Sequence, residues 1–344
     1  GSQDEEIQGG RFSIFTPGLI EQADFQAGGF PARYGGKNAS IINLKIKEGN
    51  LDDYTFDGRY DFIGWEVNYN GPSYIFDNTS LVMSARGQDF KTIFEMTDNE
   101  DGGHPRFSDY IIKSTSHLNA KNKVTMLGIY STENMDRTKD HIFLTDKFED
   151  DDLIDQEEQK NLVGLNWRYL TSNKSYLQTS AYFQNTQTKV NVGRAYPDCI
   201  NGESPTKETC LTRENINEID LNSKLFGLKS EFSYQFSNKM FSTSGIEINR
   251  YSDDLNYVQN GIDTVYIFDE DDFRASEEQR YLITNPDYYT RKVDESRILF
   301  SGFSELSFNL TKKLILNPGL RFEYDDYNEE YYLDPRFSSR YVIN

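Results

Sequence analysis

Three histidines, two cysteines and a large surplus of carboxylates are the side chains of this 344-residue sequence with the chemistry for catalysis or metal binding. His104, His117 and His141 stand far from one another and from Cys199 and Cys210, so none has the spacing of a zinc-ligating CxxC or HxxxH element. GxSxG, HExxH, Walker and GxGxxG signatures are absent as well, which leaves an enzyme, a resident metal and a cofactor without a foothold. Cys199 and Cys210 fall together in a polar stretch from Asp198 to Arg213. They read as a loop-pinching disulfide worth roughly 3 kcal/mol, which implies an oxidising compartment, or else as two free loop thiols. Carboxylates cluster at Asp98 to Asp101, Glu149 to Asp152 with Asp155, Asp269 to Asp272, and Asp325-Asp326 with Glu329-Glu330. None of these matches a calcium-binding EF-hand loop, and they read as a solvated face. With 36 basic against 56 acidic side chains the formal charge is −20, which excludes a nucleic-acid partner held through counterion release.

Another set of charges carries more meaning because of the company it keeps. Asp57, Arg59, Asp61, Glu66, Arg86, Arg168, Lys229, Glu231, Glu247, Glu305, Arg321 and Glu323 each sit on the polar side of a period-two pattern. Phe226, Leu228, Ser230, Phe232, Tyr234 and Phe236 alternate with Gly227, Lys229, Glu231, Ser233 and Gln235. The same spacing recurs along Leu177 to Gln184, Ile298 to Asn309 and Leu314 to Tyr324, and it is the spacing of strands with one apolar and one wet face. Aromatics make up 14% of the chain, too many for an acidic disordered protein. Mean hydropathy is −0.71 and no run of about 18 apolar residues occurs, so a transmembrane helix is excluded while a transmembrane barrel is not.

The connections between these strands alternate in length. Asn119 to Lys123, Ser172 to Lys174, Ser237 to Lys239 and Thr311 to Lys313 are tight polar turns; Gln88 to Phe107, Asp136 to Lys160, Val190 to Asn222 and Ser252 to Glu295 are long acidic segments. Short turns at one end and long loops at the other are the layout of an outer-membrane barrel. Strand parity requires the run from Tyr54 to Asn70 to break at Ile63-Gly64, which gives about twelve strands. A soluble sandwich also alternates, but its strands are shorter, and here Tyr130, Tyr169, Phe236 and Tyr324 gather near strand ends as interfacial aromatics do. In a barrel, Ile298, Phe300, Leu306 and Phe308 face lipid, and Ser301, Glu305 and Ser307 face a lumen in which a lysine at Ser301 is tolerated.

The first fifty residues are different, with glycine-rich turns and one short apolar strand, Ile41 to Ile46. The run Ile20 to Gly36, with Gly28-Gly29-Phe30-Pro31-Ala32-Arg33-Tyr34-Gly35-Gly36 at its end, and the following Ala39 to Asn50 resemble the closing segment of the plug domain in TonB-dependent outer-membrane receptors, in a version similar to Bacteroidetes-type members. Ala27 departs from that pattern, in which a cationic or polar residue often precedes the glycine pair. Ser80 to Arg86, Leu316 to Tyr324 and Leu333 to Tyr341 are similar to barrel strands of the same family.

The resemblance implies an all-β protein: the C-terminal part of a plug over residues 1–50, then, over 51–344, about 12 of about 22 strands of a transmembrane antiparallel β-barrel. Half a barrel leaves two bare edges in lipid, so the chain reads as a fragment or a trimmed chain. The resemblance also implies residence in the bacterial outer membrane, contact with its lipid and with a TonB-type energy-transducing complex, and active uptake of a scarce metal chelate, cofactor, glycan or peptide. The rival roles are a platform for a surface lipoprotein or secretion assembly, and a soluble all-β binding module. Arg33 is expected to pair with a lumenal carboxylate, among them Glu231, Glu247, Glu305 and Glu323, and so to seat the plug without sealing it.

Overall fold

The computed structural model describes residues 17–36, 40–97, 103–142, 151–196, 211–260 and 288–341, with four short strands between 263 and 284. Cys199 and Cys210 lie outside the described residues, as do most of the acidic clusters at 98–101 and 269–272.

Two strands near the start, β1 (Ile20–Gln26) and β2 (Ile41–Ile46), pair only with each other and make an antiparallel hairpin. Then follow β3 (Thr55–Tyr60), β4 (Gly64–Pro72), β5 (Thr79–Asp89), β6 (His104–Asn119), β7 (Asn122–Arg137), β8 (Asp151–Ser172), β9 (Ser175–Tyr196), β10 (Leu211–Ser237) and β11 (Met240–Gln259). The connection after β11 carries β12 (Asp263–Val265), β13 (Phe268–Asp269), β14 (Asp272–Ala275) and β15 (Leu282–Thr284), which form two small pairs of their own. The chain ends with β16 (Tyr289–Asn309), β17 (Leu314–Asp325) and β18 (Glu330–Tyr341). Strands β3 to β11 and β16 to β18 make one twelve-stranded sheet in which each strand pairs antiparallel with its neighbours in the chain, open between β3 and β18. The break at Ile63-Gly64 and the count of twelve are both as the polarity pattern requires.

The short turns close by a repeated device, in which a side-chain oxygen accepts backbone N–H bonds from residues two and three further on. Asn119 Oδ1 accepts from Lys121 and Asn122 at 2.9 and 3.0 Å, Thr311 Oγ1 from Lys313 and Leu314 at 3.2 and 3.0 Å, and Asp61 Oδ1 from Ile63 and Gly64 at 2.9 and 3.1 Å. The long connections are shorter than the sequence suggests. Pairing continues through polar stretches, for instance Gln187 with Asn222 and Asn222 with Asp254, so that β8 begins at Asp151 and β16 at Tyr289. The backbone ladder does not depend on side-chain polarity. The apolar face ends where lipid would end, and the strand runs on into water.

The two faces invert the arrangement of a soluble protein. Val163, Phe226, Ile246, Ile298 and Leu320 are exposed on the outer face, while Thr115, Ser233, Thr243, Ser301 and Arg321 are buried on the inner one. On β7 and β8, eight residues separate the level of Tyr130 from that of Tyr169, roughly 27 Å at strand rise, close to the ~25 Å apolar band of an outer-membrane barrel. Tyr110 packs on Tyr130 at one border of this band, and Trp167 stacks on Tyr169 at the other.

Ser301 corrects one expectation. It faces the lumen but is fully buried, with its hydroxyl 3.4 Å from Glu323 Oε1, so a lysine there has no space. Ser223, lumenal and directly opposite Asp253, is the position that accepts a cation. Leu320, on the outer face midway between Leu316 and the border residue Tyr324, stands near the middle of the apolar band, so Leu320→Lys is expected to destabilise the barrel by roughly 2 to 4 kcal/mol in equilibrium unfolding from lipid vesicles, and Ser223→Lys by less than about 1 kcal/mol. Equal losses at the two positions contradict the assignment of faces.

Candidate functional site

The β1–β2 hairpin is built to meet a wall. Gly28, Gly29 and Gly36 take φ of 82°, 63° and 61°, a left-handed conformation that side chains resist. Between them Phe30, Pro31, Ala32, Arg33, Tyr34 and Gly35 fold into a turn closed by the Tyr34 N–H on the Pro31 carbonyl at 3.1 Å. The turn lies on the lumenal face of β11 and β16 to β18. Ala32 is fully buried, and a Cβ at Gly319 would stand 2.8 Å from its methyl group; one at Gly35 would collide with Arg321 and Glu323. These two glycines give close approach rather than unusual torsion.

Three barrel side chains grip the turn. Arg33 Nε donates to Glu305 Oε1 at 2.9 Å, and its Nη2 donates to the same oxygen. Burial opposes the charge on Arg33, but Glu305 outweighs it and holds the guanidinium above its ordinary pKa; burial raises the neighbouring Tyr34 hydroxyl. Arg336 Nη1 donates to the carbonyls of Pro31 at 3.0 Å and Tyr34 at 2.5 Å, while its Nε holds Asp334 at 2.7 Å. Arg321 Nη1 donates to the Ala32 carbonyl at 3.3 Å, its Nε to Glu323 Oε1 at 2.7 Å, and its Nη2 lies 3.8 Å from Glu247 Oε2. A guanidinium has five N–H donors in a fixed fork, so one residue can bond a carboxylate and still donate to carbonyls of the turn.

A second contact fixes the other end of the hairpin. Leu19 and Ile46 pack with Val82, Ile111 and Ile129 of the wall. Lys113 Nζ donates to the Ile46 carbonyl, and Lys123 Nζ meets Glu48 Oε1 at 2.7 Å. Burial works to raise the Glu48 carboxyl, but the Lys123 hydrogen bond and the charges of Lys123, Lys113 and His117 prevail and hold it below the usual carboxylate range.

Of the charges singled out in the sequence, Glu305, Arg321, Glu323 and Glu247 converge on the turn. Lys229 pairs with Glu231 at 3.2 Å and lies over the Phe303 ring. Arg59 pairs with Glu66 at 3.0 Å, and Arg86 with Asp109, which also accepts from Ser131 at 2.7 Å. Arg168 stacks on Tyr176. Among the described residues no group of three His, Cys, Asp or Glu side chains is arranged to hold a metal ion. Arg336, Lys113, Lys123 and Glu48 were not singled out, although Arg336 shares its face with Asp334 and Ser338 by the same period-two rule.

No protein-family model matches the sequence and no curated protein sequence does. Solved structures do match. The chain is similar to the ferripyoverdine receptor of the outer membrane of Pseudomonas aeruginosa bound to ferripyoverdine, with 15% identity, a TM-score of 0.63, and coverage of 95% of this chain and 45% of that one. The outer membrane transporter YddB from Escherichia coli gives 13%, 0.59, 94% and 46%, and the siderophore receptor PiuA from Acinetobacter baumannii 12%, 0.56, 93% and 50%. The fold is therefore that of the TonB-dependent outer-membrane receptors, a transmembrane antiparallel β-barrel around a plug. This chain spans about half the length of the receptors it matches, as twelve strands with the β1–β2 hairpin against their inner face.

Arg336→Ala removes the donor to two turn carbonyls. It is expected to raise amide exchange over residues 30–36 about tenfold without lowering the barrel's melting temperature; an unchanged rate contradicts the grip described. Glu48 gives a pH dependence. Because its folded-state pKa is lowered, its pairing with Lys123 contributes fully above the ordinary carboxylate range and is lost as pH falls through the lowered value. Exchange at Ile46 and Lys47, relative to the intrinsic rate, is expected to accelerate as pH falls below the ordinary carboxylate range in the native protein, and to lose that acid step in Lys123→Met.

Proposed function

We propose that the protein is a transporter of the bacterial outer membrane, in which a scarce ligand bound at the long-loop end passes through the barrel when the plug is displaced. The observation that carries this reading is how the hairpin is held. Its strands pair with each other and not with the barrel, and its turn is gripped by guanidinium bonds and one ion pair on a wet wall. Such contacts are each worth about 1 to 3 kcal/mol, so the turn can leave without breaking a rung of the barrel's ladder. Force from an energised inner-membrane complex of the TonB type supplies the displacement. The structural neighbours are named as siderophore and ferripyoverdine receptors, which favours a metal chelate as the ligand; cofactor, glycan and peptide cargoes use the same route.

A platform role has its own observation, since β8 to β11 and β16 run well past the apolar band and raise a tall polar wall on which a surface lipoprotein has room to dock. Uptake separates the two. Cells expressing the full-length protein as their sole receptor of this type are expected to accumulate a labelled ferric chelate saturably, and to stop when the proton-motive force is collapsed. Screening of chelate, cofactor, glycan and peptide ligands with no energy-dependent accumulation contradicts import.

A further inference from the structure

Tyr182 occupies an unusual place in the wall. Its two lateral neighbours on β8 and β10 are both glycine, Gly164 and Gly227. The ring leans across one of them: a Cβ built at Gly227 would fall onto the tyrosine ring, whereas one at Gly164 would meet nothing closer than Tyr182 Cβ at 3.9 Å. By crossing β10 the side chain spans to β11, about 10 Å from its own strand. There its hydroxyl lies 2.7 Å from Asn249 Oδ1 and 3.2 Å from Glu247 Oε1.

Those two acceptors are already joined, because Asn249 Nδ2 donates to Glu247 Oε1 at 2.9 Å. The single hydroxyl proton of Tyr182 is shared between Asn249 Oδ1 and Glu247 Oε1, the closer bond being to the amide that itself holds Glu247, and the other carboxylate oxygen, Oε2, is left facing Arg321. Arg321 is almost wholly buried and donates to the Ala32 carbonyl of the plug turn. A buried guanidinium depends strongly on the orientation of its carboxylates, since no water replaces a lost partner.

We propose that Tyr182 is a positioning residue for the plug: it crosses the slot left by Gly227 to fix Glu247, and Glu247 sets the arginine that holds the turn. This rests on the reading of the hairpin as a displaceable plug and adds its regulation. The hold on the turn is set from β9, four places away from β17 in the sheet, on the lumenal wall that an incoming ligand meets. Gly227 is then required for space, because any larger residue pushes the ring off Glu247.

Hydrogen–deuterium exchange on the full-length protein in detergent tests this, with the peptide covering Phe30 to Gly36 as readout and the barrel strands as internal reference. Tyr182→Phe and Gly227→Ala are each expected to speed exchange of that peptide about tenfold, and Gly164→Ala to leave it unchanged. In a Glu247→Ala background Tyr182→Phe is expected to add nothing, which a general packing role would not produce. Unchanged exchange in Tyr182→Phe and Gly227→Ala overturns the proposal, as does a full further effect of Tyr182→Phe on top of Glu247→Ala. Arg336→Ala, measured alongside, separates the two levels. If it speeds exchange while Tyr182→Phe does not, only the positioning role fails; if neither does, the grip on the plug fails first.

Discussion

Lipid offers a peptide group nothing to bond, and most of this molecule follows from that. Every N–H and C=O within the apolar band must find its partner in the next strand, so the chain meanders antiparallel and each strand lies beside its neighbour in sequence. Strand geometry then sends alternate side chains to opposite faces. With lipid on one side, the polar residues have only the interior to enter, which fills the lumen with arginines, carboxylates, hydroxyls and amides. A wet, charged interior is the consequence of the backbone's demand rather than a separate invention.

On the proposed reading of the hairpin as a displaceable plug, that interior is what lets it leave. An apolar lumen would hold a plug through area alone, and releasing it would expose that area to water. Among the described residues the buried apolar side chains of this segment are Leu19, Ala32 and Ile46, and its turn is held by Arg336, Arg321 and the Arg33–Glu305 pair. Each contact can be exchanged for water when the turn moves. Glycines adjust the distances: Gly319 and Gly35 let the turn settle on the wall, and Gly227 lets a tyrosine ring lie flat across a strand.

How far the sequence foretold this can be traced residue by residue. The period-two pattern is local, so the strands, the break at Ile63-Gly64 and the tight turns with Asn119 or Thr311 at their start were all legible. Loop lengths were not, because polarity marks the lipid border and β8, β10 and β16 continue past it as paired backbone. Register is equally hidden. Glu305 could be named among four lumenal carboxylates but not chosen from them, since the choice depends on which strand levels meet the hairpin. Ser301 reads as an open lumenal position, but in the fold it is fully buried beside Glu323. Arg336 shows the same limit from the other side: its face was readable, its carbonyl partners were not.

Spin labels placed singly along β16 from Ile298 to Phe308 test the central claim, that one face of the sheet meets lipid while the other is covered by a seated plug. In vesicles, labels at Ile298, Phe300 and Leu306 should collide readily with dissolved oxygen and poorly with a water-soluble nickel chelate. A label at Phe303, where it replaces a buried lumenal ring, should be shielded from both. Uniform collision rates along the strand, or strong nickel access at Phe303, would contradict a lipid-facing sheet with a plug against its inner wall.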